Sequence, residues 1–449
     1  MKKLTAILLS LMLLVGSCSF AFADELTVPS FVDIKLGEDY VDLQAEIKWL
    51  THRTDLAGNG ALDNYIAEFN KVYPGIKVTY EGITDYAQDA LLRIGGSDDW
   101  GDMLGIPQLD ADEYAKYFVP MGTVEEMSGT YNFIDAKAYD GVVYGIPSTG
   151  NANGIVYNKA VFEKAGIKEL PKTPDEFIAA LKLIKENTDA IPLYTNYAAG
   201  WTMGAWDAYI GGSATGNADF MNIDMIAMKD PFADRGDGTG PYAVYKILYD
   251  AVANGLIEED YTTTDWEGCK GMINRGEIGC MVLGSWAHIQ MVEAGPNGDD
   301  IGYMNFPITI EGKQYASAGA DYCYAINNKV SVERQIATMV FIKWMTHESG
   351  FSFNEGGIPI NKDGQYPALY AAFEGIEFVA DTAAPADKAT LPDEINAESA
   401  LSVNRGGDSK IQKIIEHAFY QDKAFDDIMA EWNEAWTDAQ DTLGIEVAE

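Results

Sequence analysis

The stretch from Tyr139 to Lys159 constrains the fold more than any other part of this chain. It reads Tyr-Asp-Gly-Val-Val-Tyr-Gly-Ile-Pro-Ser-Thr-Gly-Asn-Ala-Asn-Gly-Ile-Val-Tyr-Asn-Lys. The β-branched and aromatic content makes Val142 to Pro147 a strand and turn, and Gly154 to Tyr157 an apolar strand, with a small polar segment between them. A short helix follows and stops at Gly166. A second helix then opens with clear punctuation. Thr173 is its N-cap, Pro174 its first residue, Glu176 completes a capping box, and Phe177, Leu181 and Ile184 share one face.

Similar units occur before and after it. Glu46 to Thr51 reads as a strand and His52 to Gly60 as a loop. The helix after that buries Leu62, Ile66, Phe69 and Val72 and ends at Pro74-Gly75, and Ile76 to Tyr80 is the next strand. Two strands joined by a helix run parallel, which calls for an α/β sheet. Further on, Thr264 to Gly276 reads as a helix and Gly279 to Gly284 as a buried strand leading into Ser285-Trp286. Glu333 to Thr346 reads as an amphipathic helix. Near the end, Ile411, Ile414, Ile415, Ala418 and Phe419 lie on one helical face. Phe425, Ile428, Met429, Trp432 and Trp436 lie on another, so these two tryptophans read as core. Residues 24–45 read as a linker or arm, and 380–400, rich in Ala and Asp, as loop. There is no internal repeat.

A length of 449 residues allows two or three domains, with a core large enough to need no disulfide staple. The net charge of -38 repels phosphate backbones and anionic membranes, so neither is an expected partner. Residues 1–23 form a targeting segment, with Lys2 and Lys3 ahead of the apolar run Leu4 to Val15. Two processing sites compete in it: Ala21-Phe22-Ala23 before Asp24, and Val15-Gly16-Ser17-Cys18, a lipobox that would make Cys18 a lipidated N-terminus. Either places the protein outside the cytoplasm, as a secreted, periplasmic or lipid-anchored protein. Three cysteines remain, Cys269, Cys280 and Cys323. The odd number leaves at least one unpaired; a Cys269–Cys280 bridge stays open, and buried free thiols are the favoured reading.

These ordered units resemble the extracellular solute-binding proteins of ABC importers, in the maltose-binding-like, carbohydrate-type group. In that family a Gly-Ile-Pro strand leaves one lobe, a polar segment crosses a cleft, and a Tyr-Asn-Lys strand enters the other. Its opening strand, ligand loop, helix ending in Pro-Gly-Ile and next strand match residues 46–80. Its helix, Gly-led turn, apolar strand and Gly-x-Trp match 264–286. Asp300 to Pro307 resembles the following strand, and Ser317 to Ile326 the second crossing. The resemblance implies a two-lobed periplasmic-binding-protein type II fold with a central cleft and hinge crossings. Lobe 1 is then expected from 46–150 and 320–365, and lobe 2 from 151–319 and 366–449. It also implies a monomer that captures a carbohydrate, expected to be an oligosaccharide, by hinge closure and delivers it to an ABC permease.

Chemistry read from the residues favours binding over catalysis. The four histidines are scattered, and no H-E-x-x-H, G-x-S-x-G at a strand-to-helix turn, P-loop or dinucleotide fingerprint occurs. The acid-rich stretch Asp230 to Gly238 lacks calcium-loop spacing, so no metal or cofactor is implied. A sugar site wants aromatic plates and planar polar side chains. Trp201 and Trp206, in a Gly-rich stretch, and Trp286, directly after a buried strand, are the plate candidates. The resemblance places Arg53 and Asp55 on the first cleft loop, Asp110 after Gly105-Ile-Pro-Gln, Asn151 and Asn153 on the first crossing, and Asp321 and Tyr322 near the second. Two alternatives remain: an extracellular glycan-active enzyme using paired carboxylates, and the same fold carrying a peptide, polyamine or metal chelate.

Overall fold

The computed structural model describes residues 26–84, 86–405 and 409–448; the leader, with Cys18 and both processing sites, lies outside them. Two main sheets are built from β1 (Ala45–Thr51), β2 (Ile76–Gly82), β3 (Met103–Gly105), β4 (Ile146–Pro147), β5 (Gly150–Asn158), β6 (Ile191–Leu193), β7 (Ile278–Gly284), β8 (Ile301–Asn305), β9 (Tyr315–Ala320), β10 (Cys323–Ile326) and β11 (Glu377–Val379). The first sheet has the order β2-β1-β3-β10-β4. β1 is parallel to β2 and β3, while β10 is antiparallel to β3 and β4. The second has the order β11-β9-β5-β7-β6, with β8 also paired to β5.

Each sheet carries apolar cores on both faces, which makes the molecule two-lobed. In the first, Ile47 and Trp49 pack with Phe69 and Phe341 on one side, and Leu50 and Leu104 pack with Tyr114 and Ala325 on the other. In the second, Ile155 and Val282 face Leu181, Ile247 and Trp436, while Val156, Met281 and Leu283 face Tyr303 and Phe373. All seven residues of β7 are buried, the pattern of a strand covered on both faces.

The chain passes between the sheets along a short ribbon. β4 belongs to the first sheet and, after Ser148 and Thr149, β5 enters the second. β9 leaves the second sheet and, after Asp321 and Tyr322, β10 enters the first. The two crossings are hydrogen-bonded side by side: Ser148 N–H donates to Tyr322 O (3.0 Å) and Asp321 N–H to Thr149 O (2.8 Å). A third passage touches them where Ile358 N–H donates to Gly150 O (2.7 Å). Gly150 has to be glycine, because a Cβ there would lie 2.3 Å from the Phe133 ring. A narrow, cross-braced ribbon between two large bodies is hinge architecture.

Several local expectations change. The loop after β1 contains a helical turn, Thr54–Asn59, which Gly60 (φ 82°) separates from the helix Ala61–Val72. Leu62 and Phe69 are buried in that helix, but Val72 is exposed. At the helix Pro174–Asn187, Thr173 Oγ1 accepts from Glu176 N–H (3.3 Å), while Glu176 reaches back to the N–H of Lys172 (2.8 Å) rather than to that of Thr173.

The helix Val332–His347 is not amphipathic in its surroundings: Ile336 through Met345 are all buried, Lys343 included. The segment before β1, expected as a linker or arm, supplies part of the reason. Phe31 is fully buried in the first core and donates its N–H to Met121 O (2.7 Å), and Lys343 Nζ donates to Phe31 O (2.7 Å). The arm thus packs over this helix and satisfies the one ammonium on its outer side. Within the expected loop 380–400, Leu391–Ser399 is a helix with Pro392 in its first turn and Ile395 buried. Among the described residues no helix is long and apolar enough to cross a membrane.

Candidate functional site

A cavity of about 740 Å³ opens between the lobes, beside the crossings. Three indoles form its second-lobe wall. Ring centroids are 5.1 Å apart for Trp201 and Trp266, 5.6 Å for Trp201 and Trp286, and 5.7 Å for Trp266 and Trp286. Trp286 opens the helix that follows β7. Gly284 makes this geometry available, because a Cβ there would sit 2.5 Å from the indole nitrogen. Ser285 ties the same corner to the first crossing: its N–H donates to Ala152 O (2.8 Å) and its Oγ accepts from Ala152 N–H (3.1 Å). Trp201 sits on a loop between left-handed Asn196 (φ 59°) and the turn Trp201–Gly204, and is 49% exposed. Lys270 lies 4.8 Å over the Trp266 ring and pairs with Glu267 (2.9 Å), so one face of that indole is already covered.

The first-lobe wall is polar and phenolic. His52 stacks on Tyr322 (4.4 Å, 37°) and meets the edge of Tyr86 (5.7 Å). Tyr322 packs directly on Gly105, where an added Cβ would fall 2.8 Å from the tyrosine's own. Burial lowers the His52 pKa and so favours the neutral imidazole, against the nearby Asp321 carboxylate, which favours the charged form. Arg53 is fully engaged. Its Nε and Nη2 donate to Asp55 (2.9 and 2.7 Å), and Nη2 also donates to Glu355 (2.6 Å). Burial pushes Asp55 upward, but the paired hydrogen bonds and charge of Arg53 hold it below its ordinary value.

Seven of the ten ligand candidates line this cavity: Arg53, Asp55, Asn151, Trp201, Trp286, Asp321 and Tyr322. Three do not. Trp206 is 2% exposed and packs against Phe306 and Tyr209 in the second-lobe core; the short turn Ala205–Tyr209 points it inward. Asn153 lies on the same face of β5 as Asn151 but one pair further along the strand, outside the cavity lining, with its amide 3.5 Å from Ala208 O. Asp110 is exposed on the loop after β3, outside the cavity, where partial burial and the nearby Asp393 raise its pKa. The cavity also uses His52, Tyr86, Trp266, Lys270 and Glu355, which sequence reasoning missed. Trp266 carried a readable signal, since it stands in the first turn of the helix leading into β7. Glu355 carried none, because 302 positions separate it from Arg53.

The three described cysteines are free and buried. Burial pushes the Cys269 and Cys323 thiols up to about 12, which makes them inert at neutral pH.

Comparison with known proteins places this architecture. Residues 54–350 match the family model described as bacterial extracellular solute-binding protein. The chain belongs to that family. A manno-oligosaccharide specific solute binding protein of Bifidobacterium animalis subsp. lactis ATCC 27673, solved with mannotriose, is 48% identical and superposes with a TM-score of 0.89, over 93% of this chain and 99% of that one. A second ABC-transporter binding protein from the same strain, solved with mannobiose, is 49% identical with the same TM-score and coverage. The multiple sugar-binding protein of Streptococcus mutans is 25% identical over 300 residues, 64% of this chain and 68% of that protein. Against putative binding proteins of Brucella abortus and Brucella suis, 25% identical over 272 residues, the match covers 55% of this chain and 60% of their length.

The loop that carries Trp201 is anchored by a buried acid. Glu258 is 6% exposed and accepts from Thr195 N–H (3.0 Å) and from the Thr195 hydroxyl. Burial raises its pKa from 4.5 to about 7, against the opposing effect of those hydrogen bonds. The folded state therefore holds a proton that the unfolded state releases near pH 4.5. This contribution is complete below pH 4.5 and is lost as the pH rises to about 7. Glu258→Gln is expected to be more stable than wild type at pH 8, by on the order of 2–3 kcal/mol, and to match it at pH 5. Denaturation curves at both pH values check this; equal stabilities at pH 8 would contradict it.

Proposed function

We propose that this solute-binding protein captures a manno-oligosaccharide in the tryptophan-walled cavity and hands it to a membrane permease. The observation that carries the reading is the opposition, across a hinged cleft, of three clustered indoles to a rim of polar and phenolic groups. Indoles cover the apolar C–H faces of pyranose rings, while Asn151, His52 and Asp321 offer donors and acceptors to hydroxyls. The two Bifidobacterium relatives, with near-complete coverage and bound mannotriose or mannobiose, supply the sugar class.

Ligand touching both walls stabilises the closed arrangement, a population shift about the β4–β5 and β9–β10 crossings. The closing bodies are residues 46–150 with 320–365 and the arm packed on them, and 151–319 with 366–449. Nothing covalent is required. Asp55 and Glu355 are committed to Arg53, and Glu267 to Lys270. That arrangement leaves neither a free carboxylate pair for glycoside hydrolysis nor an acid cluster suited to a polyamine. Export uses the leader 1–23, with processing after Ala23 or before Cys18, which the mass of the mature chain distinguishes.

A thermal-shift panel tests the cargo. Mannobiose and mannotriose are expected to raise the melting temperature, since ligand at a hundredfold excess over Kd adds about 2.7 kcal/mol. Maltotriose and spermidine are expected to leave it unchanged. A shift confined to spermidine would overturn the sugar reading.

A further inference from the structure

The aromatic wall does not end at the cavity. Two loops of the second lobe run side by side away from it, joined where Ala198 N–H donates to Thr264 Oγ1 (2.8 Å). At the cavity end they carry Trp201 and Trp266. At the far end they carry the half-buried Tyr197 and the buried Tyr261, again in ring contact (4.7 Å), which form the floor beneath the exposed rings that follow. Tyr261 then meets Phe419 (5.0 Å), and Phe419 meets Tyr420 (5.4 Å), at the end of the helix Ser409–Tyr420. Between the two aromatic pairs the first loop holds only Ala198, Ala199 and Gly200, which leave room above them.

The exposure is unusual. Among the described residues five aromatic side chains are strongly exposed, and three of them, Trp201, Phe419 (42%) and Tyr420 (67%), lie on these loops and this helix end. The loop is tied to this helix: Tyr197 OH donates to Glu416 (2.6 Å), and Gln412 Nε2 donates to Tyr197 O (3.1 Å). Two exposed rings beyond the cavity fall far short of the roughly 800 Å² per partner that a stable protein interface buries. They match the scale of a sugar ring, whose apolar face stacks on one aromatic side chain.

We propose that Phe419 and Tyr420 form an outer track for the part of a long manno-oligosaccharide that emerges from the cavity past Trp201. This rests on the cavity reading above. The cavity holds the end of the chain, and the track adds affinity only for chains long enough to reach it.

Calorimetric titration with mannobiose, mannotriose and mannohexaose tests the proposal, using wild type, Tyr420→Ala and the Phe419→Ala, Tyr420→Ala double variant. Tyr420 is mostly exposed, so the single variant keeps the test readable if the double variant folds poorly. Wild type is expected to bind mannohexaose about five- to tenfold tighter than mannotriose. The variants are expected to lose that gain and keep wild-type affinity for the two short sugars. Equal wild-type affinity for mannotriose and mannohexaose would overturn the track. So would variants that bind every length normally but fail to support uptake, an outcome that would assign the patch to permease docking. If wild type bound none of the three, the cavity reading itself would fail, and the track with it.

Discussion

Removing Trp201 and Trp286 together is expected to weaken mannotriose binding by about a thousandfold. Each indole offers a sugar face an apolar contact worth about 2 kcal/mol, and about 4 kcal/mol corresponds to roughly three decades in Kd. Trp201 is half exposed and Trp286 lines the opening, so the double variant to alanine is expected to remain folded. Trp206 supplies the internal contrast. It is five positions from Trp201 in sequence but buried against Phe306. Trp206→Ala is expected to cost about 3–5 kcal/mol of stability through its cavity, with the affinity of the folded fraction unchanged. Calorimetric titration and urea unfolding of both variants separate the two roles. A Trp201, Trp286 double variant that retained affinity within threefold would remove the indole wall from the account.

The second large effect lies behind that wall. Asp207 is fully buried and accepts from Tyr245 OH (2.8 Å), from Asn404 N–H (2.8 Å) and from Lys410 Nζ. The Asn404 contact secures a run in which Ala400, Ser402 and Asn404 all take left-handed backbone conformations (φ 56°, 47° and 53°), which non-glycine residues adopt at a cost. Asp207→Ala removes one acceptor from the buried Lys410 ammonium together with the acceptor of the Tyr245 hydroxyl and the Asn404 N–H, so it is expected to destabilise the protein by about 3–5 kcal/mol. Asp207→Leu with Lys410→Met, which removes both charges, is expected to recover a large part of that loss, because the desolvation cost disappears along with the attraction. Urea midpoints of the two variants decide it. A double variant no more stable than the single would locate the effect in the Tyr245 and Asn404 hydrogen bonds instead.

The parts of this molecule that were legible in sequence are those with local causes. The cap at Thr173 and Pro174, the Gly166 stop, the parallel β1-helix-β2 unit and the all-apolar β7 each follow from short-range pattern. The parts that were not legible depend on what arrives from elsewhere in the chain. Val332–His347 reads as amphipathic because its polar positions, Lys343 among them, are visible locally. The arm around Phe31 that covers it lies some three hundred residues earlier. Trp206 and Trp201 share one Gly-rich stretch, and only the turn Ala205–Tyr209 separates the core ring from the cleft ring. Asn153 shares a strand face with Asn151, and only the packing of the turn around Ala208, which arrives from elsewhere in the chain, takes it out of the cavity lining. Glu355 became part of the site through Arg53, a pairing that no spacing rule reaches.

The claim at the centre of this account is that the cleft binds a manno-oligosaccharide and releases it unchanged. Titration of the mature protein with mannotriose, followed by chromatography of the recovered sugar, tests it most directly. The account predicts saturable binding at one sugar per chain with all of the mannotriose recovered intact. Absence of binding, or recovery of mannose and mannobiose in its place, would contradict it.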